Sequence, residues 1–114
     1  MSDCLFCKIV SRDIPADVVY EDECIMAFRD INPQAPIHIL IIPKQHIATL
    51  NDLESHHAEL VGKLILTAKD LAEKEGIAED GYRTGFNCNS AAGQTVWHVH
   101  LHLLGGRTFT WPPG

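Results

Sequence analysis

The run Trp97-His98-Val99-His100-Leu101-His102-Leu103-Leu104 constrains the fold more than any other part of the chain. Polar and apolar residues alternate through it, which is the period of a strand and not of a helix. As a strand over 96–104, it would put His98, His100 and His102 on one face. Val99, Leu101 and Leu103 would point the other way, into a core. A solvent-facing strand more often carries Thr, Lys or Glu, so three aligned imidazoles point to chemistry. Alternate residues on a strand stand about 6.6 Å apart, which separates the outer histidines by about 13 Å. With metal–nitrogen bonds of about 2.1 Å the outer two do not meet at one ion, whereas a neighbouring pair could.

Imidazole suits attack on phosphorus near neutral pH, because its ordinary pKa of about 6.5 leaves much of it unprotonated. Such attack replaces one difficult displacement by two easier ones through a phosphohistidine-type intermediate. The site must also neutralise phosphate oxygens and protonate a leaving group. A neighbouring histidine and the loop Gly93-Gln94-Thr95, just upstream, could supply both. Glycine lets backbone N–H groups approach a phosphate, and Thr95 adds a hydroxyl.

The rest of the chain reads as a frame for this strand. Cys4 to Ser11 is predicted to be a short helix with Leu5, Phe6, Ile9 and Val10 available to a core, ended by Ile14-Pro15. Asp17 to Glu21 and Cys24 to Arg29 read as a hairpin around Glu21-Asp22-Glu23. Asn32-Pro33-Gln34-Ala35-Pro36 is a loop, and Ile37 to Ile42 a strand buried on both faces. Ser55 to Glu75 is the long helix. One apolar ridge there is Leu60, Leu64, Ala68 and Leu71; a second is Val61, Ile65 and Ala72, with Gly76 as the stop. Gly81 to Asn87 and Val96 to Leu104 are the last strands. No βαβ alternation appears, so the fold class is α+β with a mainly antiparallel sheet, one domain over residues 1–114.

A formal net charge of −6 without any basic run argues against general nucleic-acid binding. No apolar stretch approaches the ~20 residues of a membrane helix. The start shows no secretory pattern, and the chain is read as cytoplasmic. In that compartment Cys4, Cys7, Cys24 and Cys88 are thiols or metal ligands sooner than disulfides. Cys24 and Cys88, alone among apolar residues, are expected to be buried core thiols. His38 is expected near the site or in the core, and His56 and His57 in solvent at the start of the long helix.

His98 to Leu104 matches in full the pattern His-φ-His-φ-His-φ-φ, with φ apolar, and so resembles the histidine triad (HIT) superfamily. Further segments are similar to its nucleotide-binding branch. They are Phe28-Arg29-Asp30-Ile31, Pro33-Gln34-Ala35-Pro36, Leu40-Ile41-Ile42-Pro43-Lys44, Gly76-Ile77, Asn87, Gly93-Gln94, Leu104-Gly105-Gly106-Arg107 and Trp111-Pro112-Pro113-Gly114. The resemblance implies a two-layer fold with a five-stranded sheet, one long and one short helix, and a homodimer whose two sheets join. It implies a phosphoramidase or nucleotidyl hydrolase acting on purine nucleoside 5′-monophosphate derivatives (AMP or GMP), without an organic cofactor. Dinucleoside polyphosphate hydrolysis, nucleotidyl transfer and a non-enzymatic nucleotide-binding interaction protein are the alternatives. Carried over by position, His100 would be the nucleophile, and His102 would contact the phosphate and aid the leaving group. Asp30 would hold the ribose, with Phe6, Ile9, Phe28 and Ile31 beside the base. Asn87, Gly93, Gln94 and Thr95 would surround ribose and phosphate, Thr95 standing where serine is common. The tail with Trp111 resembles one that reaches toward a partner subunit's site.

Cys4-x-x-Cys7 departs from many members of that branch. In some bacterial relatives such a pair joins two histidines around a structural zinc, and His46 and His98 match those positions. Cys4, Cys7, His46 and His98 have the composition of a closed Cys₂His₂ site. The other reading keeps both thiols as one face of the first helix.

Overall fold

The computed structural model describes residues 3–114. Helix α1 spans Leu5–Val10 and is capped by Cys4, whose Sγ accepts from the Cys7 N–H. Strands β1 (Val18–Glu21) and β2 (Ile25–Arg29) pair as a hairpin. Asp22 closes its turn by accepting the N–H groups of Cys24 and Ile25. Strand β3 covers Ile37–Pro43, α2 Ala58–Lys74, β4 Tyr82–Gly85 and β5 Leu101–Gly105. The sheet order is β1-β2-β3-β5-β4, and every neighbouring pair is antiparallel.

The central strand β3 is buried on both faces, as its near-continuous apolar sequence requires. One face carries Ile39 and Ile41 with Ile25, Ala27, Leu101 and Leu103, covered by Leu64, Ala68, Leu71 and Ala72 of α2. The other carries Leu40 and Ile42 with Met26 and Phe28, covered by Phe6 and Ile9 of α1. Two helices of unequal length thus sit on opposite faces of one sheet. The short helix covers only part of its face, and its Phe6 packs against two of the histidines.

The structure moves several sequence boundaries. The final strand begins at Leu101, not Val96. Its ladder with β3 extends from Ile37↔Gly105 to Ile41↔Leu101, and the next stretch of β3 ends at Pro43, which has no N–H to give. The Val99 N–H turns instead to the Ile47 carbonyl at 2.7 Å. The alternation of faces survives this departure, since Val99 still joins the α2 core while Phe6 packs edge-on to His98 and His100. Ser55–His57 is a separate 3-10 turn before α2. His57 is buried rather than solvated, its Nδ1 accepting the Glu54 N–H, while His56 is exposed. Cys24 is exposed and Cys88 half-buried, so neither is a core thiol. The first ridge of α2 packs inward at Leu64, Ala68 and Leu71, whereas Ile65 of the second ridge stays 50% exposed beside Leu66 at 61%. No helix among the described residues is long and apolar enough to cross a membrane.

Candidate active site

A pocket of about 540 Å³ opens between α1, the end of β2 and the start of β5. Phe6, Ile9, Phe28 and Leu40 give it an apolar wall; Asp30, Gly93, Thr95, His100 and His102 give it a polar end, and Ile31 stands on its rim, 98% exposed. The Phe6 ring meets Phe28 edge-on at 5.3 Å and His100 at 5.1 Å. Helix α1 therefore builds the pocket wall and fixes the His100 ring together.

What each histidine can do follows from its partners, because a carbonyl oxygen only accepts. Nδ1 of His100 lies 2.7 Å from the His98 carbonyl and must carry the proton, which leaves the Nε2 lone pair free for attack. His98 places Nε2 at 2.7 Å from the Pro43 carbonyl, so its Nδ1 holds the lone pair. His38 accepts the Gln34 N–H at Nδ1 (3.0 Å) and therefore donates from Nε2 to His102 Nδ1 (2.9 Å). His102 is left with a proton on Nε2, and that buried atom has no partner among the described residues. The three histidines of the run thus present three different groups.

Burial pushes the imidazoles of His38, His98 and His100 below their ordinary range. His102 is pushed down to about 4, by burial first and then by the neighbouring His100 and His38. Neutral imidazoles at neutral pH are the form that a nucleophile requires.

A second cluster lies behind α1. The Nδ1 atom of His98 stands 3.4 Å from Cys4 Sγ, 3.6 Å from Cys7 Sγ and 3.3 Å from His46 Nδ1, and Cys7 Sγ is 3.3 Å from His46 Nδ1. Tetrahedral zinc, with bonds of about 2.3 Å to sulfur and 2.0–2.1 Å to nitrogen, would space such donors about 3.3–3.8 Å apart. The four residues fit a closed site, and the His98–Pro43 hydrogen bond aims the fourth donor into it. Asp30, His38 and His102 also bring donor atoms together. There the Gln34 N–H on His38 Nδ1 leaves a proton, not a lone pair, on His38 Nε2, so a hydrogen-bonded relay fills that space.

Most of the expected pocket residues meet there: Phe6, Ile9, Phe28, Asp30, Ile31, Gly93, Thr95, His100 and His102. Gln94 does not line this pocket. It is buried, and its amide is spent on the Asn89 N–H and on the Ala48 and Val96 carbonyls. The N–H groups of Gly93 and Gln94 are likewise used within the loop, by the Ser90 and Asn89 carbonyls, so Gln94 shapes this loop, and Thr95 lines the pocket. Asn87 and Trp111 line a different pocket, which shares Gln34, His38 and His102 with the first. The sequence reading missed Gln34, whose contribution is a main-chain N–H and carries no residue-type signal.

Residues 11–109 match the HIT domain family model, and the chain belongs to that family. It is 55% identical over 103 residues to the purine nucleoside phosphoramidase of Escherichia coli K12, covering 90% of this chain and 87% of the relative. A 14 kDa zinc-binding protein of Zea mays is 52% identical, over 99% of this chain and 89% of the relative. The crystal structure of a HIT family hydrolase from Legionella pneumophila superposes with a TM-score of 0.97 at 61% identity, covering 98% and 100% of the two chains.

Proposed function

We propose that the chain hydrolyses the P–N bond of adenosine and other purine nucleoside 5′-phosphoramidates through a nucleotidyl-histidine intermediate on His100. The observation that carries this reading is the pair of groups at the polar end of the pocket, an Nε2 lone pair on His100 beside an Nε2–H on His102. The base lies against Phe6, Ile9, Phe28 and Ile31, Asp30 takes the ribose hydroxyls, and Thr95 donates to the phosphate. His100 Nε2 bonds to the α-phosphorus as the P–N bond breaks, and the nitrogen, protonated from solvent, leaves with its electron pair as the neutral amine. His102 Nε2–H meets the charge that builds on the phosphoryl oxygens and the departing nitrogen. Water then attacks the nucleotidyl-histidine and gives its proton to solvent, which replaces the one the amine took; the P–N(His) bond breaks, the nucleotide is released and neutral His100 is restored. The similarity to the Escherichia coli phosphoramidase supports the substrate class.

Zinc held by Cys4, Cys7, His46 and His98 completes the proposal, supported by the donor spacing and by the zinc-binding relative. When bound, it supplies a cross-link between α1, the segment after β3 and the approach to β5, in the manner of a closed structural site. We propose further that the enzyme works in the cytoplasm as a homodimer.

Purified protein should release ammonia and AMP from adenosine 5′-phosphoramidate. The His100→Ala variant, with its fold checked by circular dichroism, should lose at least about a thousandfold in rate. Activity retained in that variant, or turnover of dinucleoside polyphosphates alone, would reject the reading.

A further inference from the structure

The sulfurs of Cys4 and Cys7 lie within 4.8 Å of each other and of the donor atoms of His46 and His98, whereas Cys24 and Cys88 belong to no such cluster among the described residues. The pair spans the first turn of α1. Cys4 is the N-cap, with extended backbone (φ −69°, ψ 122°), and Cys7 is the third helical residue. The remaining distance to a disulfide bond of about 2.05 Å can be closed by side-chain rotation at the cap. Both cysteines also line a solvent-open pocket of about 800 Å³ beside the exposed His46, so a small oxidant can reach them. The same turn is a wall of the nucleotide pocket. Phe6, between the two cysteines, meets Phe28 at 5.3 Å and His100 at 5.1 Å, and the two pockets share Leu5, Thr95 and Val96.

We infer that Cys4 and Cys7 are an oxidation site for hydroperoxides, and that their disulfide releases zinc and loosens the nucleotide pocket. The inference rests on the zinc reading above. The Cys7 thiolate attacks one peroxide oxygen, the O–O bond breaks, hydroxide leaves, and Cys7 becomes a sulfenic acid. The Cys4 thiolate then attacks that sulfur, the S–O bond breaks, and a second hydroxide leaves. Two thiolates have lost two electrons to the peroxide, and two protons from solvent complete two waters. The disulfide no longer offers the two anionic donors, and His46 and His98 alone do not complete a closed site. The tie from α1 to the segment after β3 is cut, and Phe6 and Ile9 lose support.

The test uses the zinc-loaded protein carrying Cys24→Ser and Cys88→Ser, in which Cys4 and Cys7 are the remaining thiols. Its zinc content is measured first. Hydrogen peroxide in small molar excess should then lower the intact mass by about 2 Da and block both thiols against alkylation. It should also release about one zinc per chain to a chromogenic chelator. Tm should fall by about 10 °C, and AMP, followed by calorimetry, should bind about fivefold more weakly. Dithiothreitol with added zinc should restore both. Thiols that stay alkylatable with zinc retained, or a disulfide that leaves Tm and AMP affinity unchanged, would overturn the inference. Oxidation to sulfinic acid without a disulfide would do the same. A protein that holds no zinc before peroxide is added, even after supplementation, would instead sink the underlying zinc reading.

Discussion

At the scale of the residue, three histidines of one repeat are set to different tasks by atoms that the repeat does not contain. The His98 and Pro43 carbonyls fix the protons on His100 and His98, and the Gln34 N–H, through His38, fixes the one on His102. The repeat made three imidazoles on one side legible, because alternation is a local property. Their roles were illegible for the same reason, since each depends on a backbone group brought in by folding. Apolar neighbours in sequence do not bury Cys24 or Cys88, and a place at the start of the long helix does not keep His57 in solvent, because burial is decided by what folding brings against each side chain. The low pKa of His102 has a measurable consequence. His38, His100 and Asp30 are the titratable groups that face it. In a ¹⁵N-imidazole NMR titration His102 should remain neutral at pH 5.5 and titrate only near 4. Since the folded-state values of His102 and His38 lie below the unfolded value of about 6.5, their contribution to stability is present above that pH. It is lost as pH falls from about 6.5 toward 4. A His102 titration midpoint near 6.5 would contradict the buried relay.

At the scale of the element, α1 has six residues and two attachments. Phe6 and Ile9 face the nucleotide pocket, while Cys4 and Cys7 meet His46 and His98 on its other side. So short a helix has little stability of its own and needs tertiary partners. Zinc would supply some of them. Protein purified without chelator should contain about one zinc per chain, the number that one closed site requires. Cys4→Ser with Cys7→Ser should lower Tm by about 10 °C or more, with activity remaining at temperatures where the variant is folded. A metal-free protein whose melting ignores added zinc would return both thiols to a packing role. The Cys-x-x-Cys spacing was readable from the sequence. The start of β5 was not, because the ladder's end is set by Pro43 on the neighbouring strand rather than by the histidine run.

At the scale of the whole molecule, the layering was legible in outline. A strand apolar on both faces must be central, and one long amphipathic helix can cover only one face of the sheet. The strand order was not, because it depends on which edge each hairpin and crossover reaches. Among the surfaces that the described residues leave uncovered are the outer edge of β4 and the patch on α2 with Ile65 and Leu66. Both suit a second copy, the edge by continuing the sheet and the patch by burying its apolar side chains. Light scattering at micromolar concentration should give about twice the chain mass of 12.7 kDa. Ile65→Lys with Leu66→Lys should shift the population toward monomer. A wild-type mass of one chain would contradict the dimer.

The central claim is that His100 takes the nucleotidyl group, and a quench experiment tests it most directly. A slowly turned-over AMP-amine is mixed with enzyme, denatured within the first turnovers and analysed by intact mass and peptide mapping. The account requires a gain equal to one AMP moiety on the peptide containing His100, absent from His100→Ala. An adduct on any other residue, or rapid turnover with no adduct at any quench time, would contradict it.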